Sequence, residues 1–374
     1  MTDHGANAPP RRTTGDHIDA RAIARALETW FRTNARDLPW RQPTLRNGYA
    51  ALVSEAMLQQ TQVSRVVEAF TAFMTRFPDI AALAAAPEQE VLASWNGLGY
   101  YRRARLLHAA AKAVVAEHDG RVPDHAAELE RLPGVGQYTA GAVASIVHGE
   151  RTPIVDGNVF RVLVRLHGRD AEAGQREDTA WAWSEAARLV EVAEEPGTLN
   201  EALMELGATV CTPRNPCCDG CPLSESCRAR RNGTVESLPR PKRTPGRAVV
   251  HHHAVPVVHR GRVLLVQRPA TGLWASMWQV PTIEAPRRLP ARSVAATLES
   301  LLGEPLGPLR RHESFVHLTT HREVRFEVLR QGAAGERRPR LMATEGRWCS
   351  ATELDGVPMS NPQRRIAREA IERE

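Results

Sequence analysis

The chain has very few lysines and no long apolar segment. Only two of its 374 residues are lysine, Lys112 and Lys242, although Lys and Arg together number 49. A mechanism that depends on a lysine amine therefore has few candidates. No run of about 18 apolar residues is present, which excludes a transmembrane helix. Because residues 1–17 contain no apolar stretch, we expect no secretory signal, a disordered tail over these residues and a cytoplasmic protein.

The net charge of +6 is unevenly distributed along the chain. Residues 236–374 contain 23 basic and 14 acidic residues, whereas the first 235 residues contain 26 and 29. Residues 236–374 therefore carry a net charge of +9, and residues 1–235 carry −3. A basic excess is typical of proteins that bind a polyanion. An arginine bias also follows from genome composition, so the charge alone leaves both interpretations open.

The length predicts two or three domains, and the apolar pattern predicts where they lie. Residues 18–230 repeat apolar residues at helical spacing, for example over 51–77 and 104–118, which predicts an all-α domain. Residues 231–247 are rich in Pro, Gly and Arg and predict an exposed linker. Residues 248–374 mix short apolar runs with one helical pattern and predict an α+β domain.

Five of the six cysteines lie in one short segment, which favours a metal centre over disulfides in a chain of this size. Four of them follow the pattern C-x6-C-x2-C-x5-C and are the predicted ligands: Cys211, Cys218, Cys221 and Cys227. Four thiolates bind either zinc or a [4Fe–4S] cluster. The single CxxC unit with unequal flanking spacers favours the [4Fe–4S] cluster. Zinc and buried free thiols are the alternatives, and Cys217 does not fit the spacing.

The sequence LPGVG at 132–136 lies between two helical patterns and predicts a tight hairpin before a helix. Exposed backbone amides at such a turn suit a phosphate oxygen, and the predicted contacts are Leu132, Gly134, Val135 and Gly136. An ordinary helix connection is the alternative. Asp156 and Asn158 follow in the sequence PIVDGN. Asp156 is a candidate catalytic carboxylate and also a candidate helix cap.

In this order, the hairpin, the aspartate and the cysteine pattern resemble the helix-hairpin-helix DNA glycosylases of the endonuclease III superfamily. The resemblance covers about residues 20–230. Bifunctional members carry a catalytic lysine two residues after the last glycine of the hairpin, where this chain has Tyr138. A tyrosine cannot form an imine, so the resemblance implies a monofunctional enzyme.

Four further segments resemble the MutY-type adenine DNA glycosylases: Arg36–Arg41, Ser54–Val63, Gly97–Tyr101 and Asn200–Gly207. The resemblance implies a base excision repair enzyme that acts as a monomer on double-stranded DNA. It would flip out adenine mispaired with 8-oxoguanine or guanine and hydrolyse the N-glycosidic bond. It also leaves open whether a repair protein binds the linker.

The chemistry needs two carboxyl groups, because adenine leaves only after protonation and the sugar develops positive charge. The resemblance makes Glu55 the general acid that protonates N7, which requires an apolar site that keeps its carboxyl protonated. Asp156 would stay ionised and stabilise the cation, or bond transiently to C1′. Tyr138 and Asn158 would orient these groups. A solvated helix face is the alternative for Glu55.

Other candidates follow from the same resemblance. Trp40, Arg41 and Glu201 match residues that line the adenine pocket, with a core position as the alternative for Trp40. Gln60 and Tyr100 match residues that wedge into the duplex around the lesion, and packing at a helix end is their alternative. Thr61, in the same motif as Gln60, is a further substrate-binding candidate.

Residues 272–282 resemble a strand of the Nudix-like domain at the C-terminus of MutY proteins. No RExxEExG helix follows, which favours a recognition module over a nucleotide-cleaving enzyme. The family reads 8-oxoguanine with a Phe-Ser-His loop, matched here by Thr320 and His321, while Thr319 departs from the aromatic residue. The three histidines at 251–253 suggest either a metal site or the start of a strand; alternating side-chain directions favour the strand.

Two other functions compete with this prediction. A bifunctional glycosylase acting on oxidised pyrimidines is disfavoured by Tyr138. An iron–sulfur DNA-binding sensor without activity is disfavoured because both Glu55 and Asp156 are present.

Overall fold

The computed structural model describes residues 18–242, 246–303, 305–331 and 346–374. The predicted tail over 1–17 and residues 243–245 of the predicted linker lie outside the described residues. Contacts within the chain define two compact units. Of the described residues, the first unit comprises 18–37, 124–130 and 136–242, and the second comprises 38–123, 131–135, 246–303, 305–331 and 346–374. Residues of the predicted helical domain thus contribute to both units.

In the described chain twelve α-helices precede the first strand and two more lie among or after the strands, which confirms an all-α part followed by a mixed α and β part. The helices are α1 (Ala20–Asn34), α2 (Gly48–Leu58), α3 (Val63–Arg76), α4 (Ile80–Ala85), α5 (Glu88–Ser94), α6 (Arg102–Glu117), α7 (Ala126–Leu129), α8 (Gln137–His148), α9 (Gly157–His167), α10 (Arg176–Val192), α11 (Pro196–Thr209), α12 (Arg228–Arg231), α13 (Ala291–Leu302) and α14 (Asn361–Glu372). The strands are β1 (Ala248–Ala254), β2 (Val258–His259), β3 (Arg262–Gln267), β4 (Trp278–Gln279), β5 (Thr282–Ala285), β6 (Leu309–Leu318), β7 (Arg322–Gln331) and β8 (Gly346–Cys349).

The first unit is helical, with α1, α9, α10 and α11 packed around a common core. Leu27, Leu163 and Leu203 are fully buried there. Two helices approach each other closely because glycine leaves room between them. A Cβ atom added at Gly207 in α11 would lie 2.6 Å from Cβ of Asn158 in α9. The last glycine of the predicted motif 200–207 is therefore explained by helix packing.

The second unit begins with α2–α6, and the apolar pattern over 51–77 is divided between two helices. α2 ends at Leu58, and α3 begins at Val63 after a short turn. Gln60 in this turn has a φ of 56°, which a continuous α-helix does not allow. The helical spacing over 51–77 is thus interrupted by one turn, and apolar residues on both sides of it pack into the core.

Two four-stranded sheets form the C-terminal part of the second unit. The strand order of one sheet is β5-β1-β7-β6, with β1 and β7 parallel and the other pairs antiparallel. In the other sheet β3 pairs with β2, β4 and β8, all antiparallel. α13 and α14 complete this part, and Val263, Leu265 and Phe326 lie in its core. The predicted second domain of mixed α and β structure is confirmed.

Most described residues of the predicted linker are exposed, but Leu238 within it is packed. Leu238 is buried, and its carbonyl accepts a hydrogen bond from Nε of Arg165 at 2.9 Å. Arg240 N donates to Ala171 O at 2.8 Å. A high content of proline and glycine indicates an irregular backbone, but a single apolar residue in such a segment can still pack into a core, as Leu238 does in the first unit.

The three histidines lie inside β1 and not at its start, because β1 begins at Ala248. His252 and His253 are buried, and Nε2 of His253 accepts a hydrogen bond from Leu289 N at 2.9 Å. None of the helices in the described ranges combines the length and apolar character needed to cross a membrane.

Candidate active site

The predicted acid Glu55 lies on α2 in the second unit, and its residue is only 8% exposed. α2 begins where the Asn47 side chain accepts a hydrogen bond from Ala50 N at 2.9 Å. Leu52 and Met57 on the same helix are buried. Glu55 is therefore buried within its unit, which excludes a position on a solvated helix face.

Asp156 lies in the first unit and caps the N-terminus of α9. Its Oδ1 accepts from Val159 N at 2.7 Å, and its Oδ2 accepts from Nδ2 of Asn158 at 3.1 Å. The residue is half-buried. Burial raises the pKa of this carboxyl, while the hydrogen bonds from Val159 and Asn158 and the charge of Arg161 oppose the shift. The predicted capping role is therefore present in the structure.

A hydrogen-bond chain connects Asp156 to the cysteine segment through Arg161, which the sequence analysis missed. Arg161 is buried on α9, and its NH2 donates to Oδ1 of Asn158 and to Gly207 O, each at 2.8 Å. Its Nε donates to Cys211 O at 2.7 Å. The orientation of the Asn158 amide, and through it that of Asp156, thus depends on an arginine one turn further along α9.

Tyr138 and Glu201 lie on neighbouring helices of the first unit, α8 and α11. The Tyr138 hydroxyl donates to Sδ of Met204 at 3.0 Å. Glu201 is buried on α11, one turn before Met204. An ion pair joins the segments Arg36–Arg41 and Asn200–Gly207. Nε and NH2 of Arg36 donate to the buried Glu205 carboxylate at 2.6 and 2.9 Å.

The second unit holds the remaining predicted pocket residues, Trp40 and Arg41, in a short 3-10 turn. The Trp40 ring meets the Phe70 ring edge to face, with centroids 5.5 Å apart. Trp40 is half-buried, so one part of the ring packs on the core and the remainder is accessible. This position is compatible with both interpretations of Trp40, as a core residue and as a residue that lines the adenine pocket.

Thr61 and Tyr100 are brought together around Arg103, which the sequence did not single out, and Gln60 directly precedes Thr61 in the turn after α2. NH2 of Arg103 donates to Oγ1 of Thr61 at 3.0 Å and to Gly99 O at 3.1 Å. Gln60 and Tyr100 both have positive φ, 56° and 47°, and both are exposed. The neighbouring Arg102 is exposed. Nothing in the sequence pattern distinguishes this exposed arginine from the buried Arg103.

The candidate lesion-reading residues lie at the turn between β6 and β7. The Thr320 hydroxyl forms a hydrogen bond with the Tyr100 hydroxyl. His321 is exposed, and its carbonyl accepts from Ala248 N at 3.1 Å. Thr319 Oγ1 accepts from Arg322 N at 3.0 Å and closes the turn. The structure therefore joins Thr320 to a predicted wedge residue, an association that the sequence does not reveal.

The predicted hairpin over 132–136 connects α7 to α8, and Gly136 is the N-cap residue of α8. Leu132 is buried, and Val135 N donates to Leu132 O at 3.1 Å. Gly134 has a φ of 77°, and a Cβ atom there would lie 2.5 Å from Cβ of Leu106. Only glycine satisfies both the backbone conformation and the close approach.

The four predicted ligand cysteines line one pocket, together with Arg165, Arg230 and the more exposed Cys217. NH1 of Arg165 lies 3.4 Å from Sγ of Cys211. Burial, with a smaller contribution from the neighbouring cysteines, raises the pKa of the Cys221 thiol to about 11, although a backbone hydrogen bond at Leu223 opposes the shift. Four cysteine sulfurs that line one pocket are a donor set that fits a metal centre, because a bound metal deprotonates the thiols and compensates their charge. Within the described residues, no three His, Cys, Asp or Glu side chains meet the geometry of a single metal ion.

Comparison with known families agrees with this architecture. Residues 53–186 match the HhH-GPD superfamily of base excision DNA repair proteins, and residues 253–369 match the NUDIX domain. In three dimensions the chain resembles a thermostable thymine-DNA glycosylase, with a TM-score of 0.51 and 27% identity. That similarity covers 57% of this chain and 97% of the other. The fold and the matched segments define a DNA glycosylase with a C-terminal Nudix-like domain.

Individual relatives specify the family. The chain is 33% identical to the adenine DNA glycosylase of Homo sapiens over 94% of its own length and 74% of the human protein. It is 43% identical to the adenine DNA glycosylase of Mycolicibacterium smegmatis over 66% of its length and 80% of that protein. The chain belongs to the adenine DNA glycosylase family.

Proposed function

We propose that this protein releases adenine mispaired with 8-oxoguanine or guanine from double-stranded DNA by hydrolysis. The observation that carries the proposal is the burial of Glu55 on α2, a helix that also buries Leu52 and Met57, in a chain of the adenine DNA glycosylase family. The mechanism requires that the buried carboxyl group of Glu55 carry a proton when it meets the base. The extruded adenine would be held by the pocket candidates Trp40, Arg41 and Glu201.

The two carboxyl groups have different roles in this mechanism. Glu55 donates a proton to N7 of adenine, which makes the base a better leaving group. Asp156 in its ionised form stabilises the positive charge that develops on the sugar until water attacks C1′, or it bonds to C1′ and water then displaces it. The hydrogen bonds from Val159 and Asn158 support the ionised form against the effect of burial. Tyr138 and Asn158 orient the reacting groups.

The enzyme is proposed to be monofunctional, without a lyase step. The position after the hairpin that would supply an amine is Tyr138, on α8. Both lysines of the chain, Lys112 and Lys242, are exposed, and neither lies on α8. Without a nucleophilic amine no imine forms with the sugar, so the product is an abasic site in an intact strand.

The pocket of Cys211, Cys218, Cys221 and Cys227 is proposed to hold a [4Fe–4S] cluster. When bound, the cluster would cross-link the segment through four thiolates, and base release itself transfers no electron. The carbonyl of Cys211 accepts from Arg161, so a rigid segment would also fix the position of that arginine. Exposed basic residues of the same segment, such as Arg214, would contact DNA phosphates.

The C-terminal domain is proposed to recognise 8-oxoguanine with Thr320 and His321. The protein would bind DNA as a monomer, with the hairpin amides at Gly134 and Gly136 placed against the phosphate backbone. The other two predicted contacts, Leu132 and Val135, would only shape the turn, because Leu132 is buried and Val135 N donates to Leu132 O. Replacing His321 by Ala should reduce the preference for 8-oxoguanine over guanine opposite adenine, measured as a ratio of single-turnover rates. An unchanged ratio would mean that this turn does not read the lesion.

The direct test uses duplex DNA with adenine opposite 8-oxoguanine, incubated with the protein and analysed with and without alkali. We expect strand cleavage only after alkali, because hydrolysis leaves an abasic site. Cleavage without alkali would establish a lyase step and contradict the monofunctional mechanism. Tyr138→Phe is assayed beside the wild type, because this substitution keeps the ring and removes only the hydroxyl that donates to Met204.

A further inference from the structure

We propose that Arg103 is a positioning residue that holds Gln60 and Tyr100 in the orientation needed to separate bases in a duplex. This inference rests on the proposed function and adds a residue to it. Arg103 lies on α6, is 9% exposed, and links the end of α2 to two surface turns. Its own side chain does not reach the surface, so it acts through the residues that it holds.

The guanidinium of Arg103 connects three backbone segments. Its NH1 donates to Ala56 O and Met57 O, each at 2.7 Å, at the C-terminal end of α2. Carbonyls in the last turn of a helix have no partner within the helix, and a cation there also interacts favourably with the helix dipole. These two bonds anchor the guanidinium to the helix that carries Glu55.

The other terminal nitrogen reaches both turns. NH2 donates to Oγ1 of Thr61 at 3.0 Å, and to Leu98 O and Gly99 O at 3.2 and 3.1 Å. The guanidinium also lies over the Tyr100 ring, 5.4 Å from its centroid. A single planar group therefore fixes the turn after α2 and the turn before α6 relative to each other.

Both turns present a strained, exposed residue at their tips. Gln60 and Tyr100 have φ values of 56° and 47°, in the left-handed region that residues with a side chain rarely adopt. Tyr100 is 47% exposed, which is unusual for a large aromatic side chain. Strain of this kind persists only where surrounding interactions determine the backbone, and Arg103 bonds to the neighbours of both residues, Thr61 and Gly99. The hydrogen bond between the hydroxyls of Tyr100 and Thr320 adds to the second turn.

The fork of the guanidinium is essential to this arrangement. Burial lowers the pKa of Arg103 to about 10, so the side chain remains charged at neutral pH. Lysine would keep the charge but cannot bond in two directions in one plane. Extruding a base requires unstacking and unpairing, and side chains on mobile turns would contribute less to it than side chains held in place.

The experiment is a double-mutant cycle on the full-length protein, with single-turnover adenine release as the readout. Arg103→Lys is measured in the wild-type background and in a Gln60→Ala, Tyr100→Ala background. Arg102→Lys is the matched control, because Arg102 is the exposed neighbour on the same helix. Thermal unfolding and affinity for a duplex with an abasic site are measured for each variant. Thr61→Val, which removes one acceptor of Arg103, provides a milder perturbation.

We expect Arg103→Lys to lower the rate about ten- to hundredfold in the wild-type background, the equivalent of losing one or two charged hydrogen bonds. In the background without the two wedge side chains, the loss should fall below about threefold. Thr61→Val should show a smaller effect with the same dependence on background, and Arg102→Lys should leave the rate unchanged.

Equal losses in both backgrounds would overturn the proposal, because Arg103 would then act independently of Gln60 and Tyr100. An unchanged rate for Arg103→Lys would overturn it as well. If Arg103→Lys unfolds, the Thr61→Val cycle decides between the same outcomes. Absence of adenine release by the wild-type protein would instead contradict the proposed function, so the two failures are distinguishable.

Discussion

Asp156 combines a structural and a chemical role, and two substitutions separate them. Asp156→Asn keeps a side-chain oxygen that can accept from Val159 N, at present 2.7 Å away, and so preserves the cap of α9. Asp156→Ala removes it. Asparagine is as good an N-cap residue as aspartate, while alanine costs about 1 kcal/mol at such a position. That difference corresponds to roughly 2–4 °C in melting temperature for a domain of 150–250 residues.

The pH dependence has a definite sign. Because burial raises the pKa of Asp156 in the folded protein above its value in the unfolded chain, the folded state binds more protons in the interval between the two values. Stability from this group is therefore complete below the unfolded pKa and is lost as pH rises through the folded pKa. At neutral pH the ionised carboxylate is a cost, so Asp156→Asn should unfold at the wild-type temperature or slightly above it.

The assay is thermal unfolding at pH 7 and at pH 4, combined with single-turnover adenine release. We expect both variants to lose release, because neither side chain carries a negative charge, while only the alanine variant loses stability. The advantage of Asp156→Asn over wild type should diminish at pH 4. An asparagine variant as unstable as the alanine variant would refute the capping argument, and an active one would refute the catalytic role.

Three further predictions concern the surroundings of Asp156 and the cysteine pocket. Gly207→Ala should destabilise the protein by about 1–3 kcal/mol in urea unfolding, because its Cβ would lie 2.6 Å from Cβ of Asn158; wild-type stability would show that α9 and α11 separate freely. Arg161→Met should lose at least about 3 kcal/mol, since the bonds to Asn158, Gly207 O and Cys211 O all disappear; a fully active and stable variant would contradict the proposed link to Asp156. Purified protein should contain about four iron atoms per chain, and Cys221→Ser should lose most of them; zinc in their place would contradict the cluster.

Motifs with a fixed spacing made much of the site predictable from the sequence. The hairpin glycines are tied to backbone geometry, since Gly134 combines a φ of 77° with contact to Leu106. The cysteine spacing similarly brings its members to one pocket. In both cases local chain geometry restricts the residue type, so the sequence carries the information.

Residues whose role depends on distant contacts were not predictable. Arg103 and Arg102 are adjacent on α6, and only folding buries the first against the carbonyls of α2. Arg161 gains its role from Cys211, 50 positions further along the chain. Leu238 lies among prolines and glycines but packs in the first unit. A helical or loop pattern reports which face is apolar and does not report which polar side chain bridges two segments.

The most direct test of the central claim is the release of free adenine from a duplex with adenine opposite 8-oxoguanine, measured by chromatography under single-turnover conditions. Wild-type protein should release the base, and Glu55→Gln should reduce release at least about a hundredfold, as expected for loss of a general acid. The variant should bind the duplex with wild-type affinity, since glutamine has nearly the same size. Undiminished release by Glu55→Gln, or no release by the wild type, would contradict the account.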